Sequence, residues 1–233
     1  MAAGDLCSGV STNQTRSANP MKTLLFAPAL AATLLTSATT AFAQKADSKL
    51  PVYAEIGIGF NKTLYFGDTR SKLGQALGGS AKPGTGNNIL AGFYVAPVKW
   101  RGLGVGTRIS GSFGAPVEGD FGDQYIFNYY NLAVAAKYYP LSREFGRGLY
   151  ARGSFGFGQL TTKRFNEETN FFRHQYALGT SLMGGLGYTV PLKGFSLSLE
   201  AEFESASRSG TIDGMGSQTF RSGQVGANVI LGF

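Results

Sequence analysis

The chain has 233 residues, a formal net charge of +7 and 34 glycines. Glycine is costly inside helices, so this content argues against an all-α fold. The absence of a Gly-X-Y period excludes collagen. Length allows one or two domains, and a mean hydropathy of −0.03 leaves room for a chain apolar on one face and polar on the other.

In chain order, Met21 to Ala43 reads as a secretory signal peptide. Met21-Lys22-Thr23 is a short basic start, Leu24 to Leu35 an apolar stretch too short to span a bilayer, and Ala41-Phe42-Ala43 a small-x-small cleavage site. Cleavage after Ala43 leaves Gln44 as the mature N-terminus. Residues 1–20 read as an upstream start, with translation proper beginning at Met21, because a signal sequence works best at the extreme N-terminus. The one cysteine, Cys7, falls in this upstream stretch, outside the mature chain. It has no apolar stretch before it to make it a lipoprotein acceptor. The mature chain is therefore expected to have no disulfide, no Cys-ligated metal and no Cys nucleophile.

Lys45 to Leu50 is a polar lead-in, and residues 51–233 read as one domain of alternating strands. Side chains alternate across a strand, so apolar residues at every second position mark a two-faced one. The first strand, Val52 to Tyr65, aligns Val52, Ala54, Ile56, Ile58 and Phe60 against Tyr53, Glu55, Gly57 and Gly59. Gly67 to Asn87 is predicted to be a loop from its turn chemistry. Further strands are predicted over Asn88–Ala96, Gly102–Phe113, Tyr125–Tyr139, Gly148–Leu160, His174–Val190, Phe195–Ser205 and Gly223–Phe233. The uncharged stretch from Gln175 to Leu192 is long enough for a membrane helix, but its glycines, Pro191 and two-residue alternation favour a strand. Short connections hold Pro97, Pro140 and Pro191, where proline breaks no ladder. The other connections are long: Gly67–Asn87, Gly114–Gln124, Thr161–Arg173 and Ser207–Gln218. Alternating long loops and short turns predict an all-β fold: a transmembrane antiparallel up-and-down β-barrel of about eight strands.

The faces distinguish a membrane barrel from a soluble one. The face opposite the apolar one carries Glu55, Arg108, Lys137, Arg152, Glu200, Glu202 and Glu204 among glycines and serines. Small residues and paired charges suit a narrow lumen, and the nearly charge-free apolar face would aggregate in water. The expectation is apolar outside, polar inside. Trp100, Tyr138, Phe195 and Phe233 are expected in an inner aromatic girdle, and Phe60, Phe113, Tyr129, Phe157 and Phe203 in an outer one.

The final strand places Val225, Ala227, Val229, Leu231 and Phe233 on one face and ends on the aromatic. It resembles the C-terminal signature of bacterial outer-membrane barrels. That resemblance implies recognition by barrel-assembly machinery and periplasmic chaperones. With the signal peptide and the alternation, residues 51–233 resemble the small outer-membrane β-barrels of the OmpA/OmpX-like, porin-family kind. It implies residence in the bacterial outer membrane, contact with the lipid bilayer and lipopolysaccharide, and a monomer. No peptidoglycan-binding domain is expected after the barrel stretch. The family spans adhesins, small pores and lipid-modifying enzymes, so fold does not settle function.

Candidate chemistry is sparse. The lumen charges fit either a structural plug or a narrow selective pore. His174 is the only histidine. Lipid A deacylases of this barrel class carry a His-x-Ser motif, but Tyr176 stands where the serine would be, and a serine nucleophile needs its base within hydrogen-bond reach. Glu118, Asp120 and Asp123 lack the spacing of a calcium loop. Gly102-x-Gly104-x-Gly106 lies inside a strand and opens no phosphate-binding helix. The predicted outer loops are basic, with Lys62, Arg70, Lys72, Lys82, Lys163, Arg164, Arg173, Arg208 and Arg221, which suits anionic lipopolysaccharide phosphates or an acidic partner. Neither cofactor nor metal is expected, nor a nucleic-acid partner. The reading is a non-enzymatic barrel with a structural or surface-interaction role, with a narrow channel as the alternative and a lipid A-modifying enzyme less favoured.

Overall fold

The computed structural model describes residues 51–77, 84–119, 122–166, 171–212 and 216–233. The signal peptide, the lead-in, Cys7, Gly78-Gly79, Lys82-Pro83 and Asp120 lie outside the described residues. Among the described residues the strands are β1 (Val52–Tyr65), β2 (Thr85–Val95), β3 (Leu103–Gly114), β4 (Val117–Glu118), β5 (Gln124–Tyr138), β6 (Gly148–Asn166), β7 (Phe171–Pro191), β8 (Ser196–Ile212) and β9 (Gly216–Gly232), with an α-helix, α1 (Asp68–Ala76), and a short 3-10 turn at Val98–Trp100. Neighbouring strands pair antiparallel, β3 pairs directly with β5, and β9 returns to β1. The ring has eight staves, and the two-residue β4 is an appendage on the outer end of β5.

The closed antiparallel barrel is the architecture the alternation predicts. Its orientation follows from burial. Ile58, Phe60, Leu132, Val134, Phe155, Leu182, Leu186 and Leu199 face outward and are exposed, while Arg108, Lys137, Arg152 and Glu200 face inward and are buried. Only lipid suits an apolar exterior of this extent, and the stretch from Gln175 onward is strand within β7, not helix. This is a transmembrane barrel, with the start of β1, Phe233 and the short turns at one end, here called the inner end.

The outer end departs from the sequence reading in three ways. The segment after Gly67 holds α1, and its Leu73 and the Leu77 that follows its end are buried. The connection from Gly114 to Gln124 holds β4. Most of Thr161–Arg173 and Ser207–Gln218 is strand, because β6 and β7 reach 19 and 21 residues and β8 and β9 reach 17 each. A tilted strand crosses a bilayer in about 9–11 residues, so these four continue well past it, whereas β2 and β3 stop at 11 and 12.

Beyond the membrane the faces change character. On β8 the outward row passes from Leu199, Ala201 and Phe203 to Ser205, Ser207, Ser209 and Thr211, all exposed, while inward Ile212 is buried. On β9 the outward Ser217, Thr219 and Arg221 are exposed and the inward Phe220 is buried. Outward residues meet lipid in one half and water in the other, so the apolar row ends at the membrane boundary rather than at the strand end.

A closed barrel resists dodecyl sulfate until heated. Membrane fractions run unboiled and boiled should therefore show a mobility shift, and a single unshifted band in both lanes would contradict the closed transmembrane architecture.

Candidate functional site

The lumen is built in layers. At the inner end the β5–β6 turn sends Phe145 into the barrel, where its ring lies 4.7 Å from Tyr53, 5.1 Å from Tyr139 and 5.7 Å from Tyr94. Gly104 makes this possible, since a Cβ there would fall 2.4 Å from the Phe145 ring.

Above this floor lies a belt of charge. Glu55 accepts from Lys137 Nζ at 2.5 Å and faces Arg108 Nη1 at 3.5 Å. Arg108 Nη2 reaches Glu200 at 3.1 Å and also pairs with Glu202. Arg152 holds Glu200 through Nε at 3.1 Å and Nη2 at 3.0 Å, and Glu202 through Nη2 at 2.7 Å. Tyr150 donates to Glu200 at 3.0 Å, and Lys137 Nζ stands 4.4 Å over the Tyr150 ring. Three cations thus meet three carboxylates. Each carboxylate has two cationic neighbours, which offsets the desolvation of bringing them inside. Gly185 leaves the belt its width, because a Cβ there would lie 2.9 Å from Glu200 Cδ.

Glu204 belongs to a second cluster. It accepts from Arg208 Nη2 at 2.5 Å and from Asn131 at 3.3 Å, and Arg208 also donates to Asn131 at 3.0 Å and Ser222 at 3.3 Å. Arg208 is 1% exposed, which corrects its assignment to an outer loop: the alternation of β8 continues through it, so it faces the lumen. Amides complete this layer, with Asn61 bonded to Ser112 and Gln224, and Asn88 to Asn228.

The outer mouth is filled by apolar side chains. Leu73 and Leu77 from the α1 segment pack with Phe127, Leu160, Ile212 and Phe220. The helix is held by Arg221 N–H donating to Thr69 Oγ1 at 3.0 Å and Lys72 Nζ donating to Gln218 at 2.6 Å. Tyr129 is 2% exposed and its hydroxyl bonds to that of Tyr65. Its place in an outer girdle is therefore overturned, because it shares the inward parity of Asn131 and Ala133.

Trp100, Tyr138, Phe195 and Phe233 are exposed at the inner end, and Phe60 and Phe113 toward the outer. Phe157 and Phe203 face outward but lie midway along β6 and β8, since those strands continue past them. Val225, Val229 and Leu231 are exposed with Ala227 on the lipid-facing side of β9, and Phe233 exchanges backbone bonds with Ala54 at 3.2 and 2.8 Å. Among the basic residues, Lys62, Arg70, Lys72, Arg173 and Arg221 are exposed, Lys163 is half-buried, and Arg164 pairs with Asp123. Asp123 also accepts from Asn166 at 2.9 Å. Exposed His174 sits on the outward face of β7 opposite Lys163. Phe145 and the α1 plug escaped sequence reasoning. Leu73 and Leu77, four apart behind Asp68, were the available helical signal.

No protein-family model matches the chain, and no curated protein matches it in sequence. Solved structures share its fold. Ail, the attachment invasion locus protein of Yersinia pestis, in complex with the heparin analogue sucrose octasulfate, is 14% identical, with a TM-score of 0.50 over 78% of this chain and 99% of its own. Neisserial surface protein A gives 11% identity and a TM-score of 0.44, covering 77% and 96%. The N-terminal β-barrel domain of OprF from Pseudomonas aeruginosa gives 16% and 0.37, covering 78% and 97%. At the identity of Ail the likeness is one of fold, that of the small outer-membrane β-barrels.

Removing one member of a buried charge network leaves its partners uncompensated. Arg108→Met should lower stability by about 3–5 kcal/mol, read as the denaturant midpoint of the barrel in detergent. Glu144→Gln, which breaks an exposed pair on the inner turn, should cost less than about 1 kcal/mol.

Proposed function

We propose that the chain is a closed, non-enzymatic barrel of the bacterial outer membrane that acts through what its outer end binds. The observation that carries this reading is the filling of the lumen at successive levels: the Phe145 floor, the balanced charge belt, and the Leu73–Leu77 plug. A conducting pore needs a continuous wet path with unbalanced or mobile charge, and the belt offers neither. Against enzymatic action on lipid A, His174 stands exposed with Tyr176, not serine, two residues on.

The outer end supplies the interaction surface. Lys62 and Arg221 project outward from β1 and β9 and Arg70 from α1, all exposed. Cations at this height suit the phosphates of lipopolysaccharide or another polyanion at the cell surface. The outward row Val225, Ala227, Val229, Leu231 and Phe233 is assigned to the assembly machinery. That role is read from the amount of heat-shifted barrel reaching the membrane when Phe233 is removed.

In planar bilayers the purified barrel should give no steady openings. Steady openings whose conductance changes in Glu202→Gln would replace this reading with a channel. Liposomes bearing lipopolysaccharide should retain the barrel's outer end in a manner that sucrose octasulfate competes away. Replacing Lys62, Arg70 and Arg221 by serine should weaken that competition several-fold, and undiminished competition would remove the proposed surface.

A further inference from the structure

The opposite rim carries its own charge pattern. Among the described residues, the inner turns hold Lys99, Arg101, Arg143, Arg147 and Lys193 against Glu144 alone. The Glu144–Arg147 pair is loose, at 3.8 Å with side chains 76% and 66% exposed, so it leaves the excess of cation in place.

Two of these cations border a cavity of about 490 Å³ beside the β5–β6 turn. Its polar lining is Ser142, Arg143, Glu144 and Arg147, with cations outnumbering the one carboxylate, and its apolar lining is Leu141, Leu149 and Tyr188. Leu149 and Tyr188 are cross-strand partners on the outward face of β6 and β7, continuous with the surface that meets lipid. The cavity therefore straddles the line where hydrocarbon gives way to water. The turn that frames it is anchored: Phe145, between the two arginines in sequence, is packed inside the barrel, and Glu144 N–H donates to Ser142 Oγ at 3.2 Å. With half-buried Phe145 turned inward, Arg143 and Arg147 stand exposed on the turn.

We propose that this notch holds the headgroup of an anionic phospholipid of the inner leaflet, its phosphate between Arg143 and Arg147 and an acyl chain along Leu149 and Tyr188. Guanidinium groups suit phosphate oxygens by charge and by their paired N–H donors. A rim with excess cation favours a net-negative headgroup over a zwitterionic one, whose ammonium it repels. The proposal rests on the membrane-barrel reading, which places this rim at the inner leaflet.

The test is native mass spectrometry of the folded barrel released from mixed phosphatidylethanolamine and phosphatidylglycerol. The wild type should retain phosphatidylglycerol several-fold over its share of the mixture. The preference should vanish in Arg143→Ser/Arg147→Ser and persist in Lys62→Ser/Arg221→Ser at the other rim. Equal retention of both lipids by the wild type, or a preference that survives the Arg143/Arg147 change, overturns the site. So does a preference lost equally in the outer-rim variant, or one stripped by inorganic phosphate alone. The gel shift on the same samples separates the two readings. A shifted barrel without lipid preference removes the site only, whereas an unshifted wild type removes the membrane barrel beneath it.

Discussion

A backbone in hydrocarbon has no water to bond with, so every N–H and C=O there must find a partner inside the protein. The seam between β1 and β9, running from Glu55 opposite Gly232 to Tyr65 opposite Ser222, meets that demand by leaving no free edge. The rest of the structure follows from the closure. Eight staves enclose a lumen only about as wide as the side chains that fill it. Large inward residues on one stave then require small ones on the next, and Gly104 and Gly185 stand where Phe145 and Glu200 need space. The interior becomes a packed core whose middle is ionic, and its charges are tolerable because each is met by opposite ones.

The same strand serves two solvents. Through the bilayer, β8 and β9 turn leucine, valine and phenylalanine outward and keep glutamate and asparagine within. Above it they turn serine, threonine and arginine outward and bury Ile212 and Phe220. The upper half is thus organised as a water-soluble barrel is, with an apolar interior completed by Leu73 and Leu77. The change needs no break in the hydrogen-bonded ladder, since a strand's pairing does not depend on which face is wet.

This division explains what could be read from the residues. Alternation is a strong signal wherever lipid imposes it, and strand order, faces and closure were legible for that reason. Where the outward face turns polar, the contrast between faces falls away. The upper reaches of β8 and β9 then resemble loop, and Arg208 looks like a loop cation although it continues the inward row of Glu200, Glu202 and Glu204. Tyr129 was misplaced because aromatics mark membrane interfaces and lumen cores alike, and only parity separates them. The plug was hidden because a nine-residue helix with one buried leucine, Leu73, and a second, Leu77, just past its end gives a weak helical pattern amid glycines. Phe145 lay in a turn, where sequence carries no periodicity to show which way a side chain points.

The unequal strand lengths have a geometric consequence. β6 to β9 rise far above the bilayer while β2 and β3 end close to it, so the crown is slanted. Among the described strands, a large molecule arriving from the medium meets a high wall along β6 to β9 and a lower one along β2 and β3. Its angle of approach is restricted by the backbone alone, before any side chain at the rim has made contact.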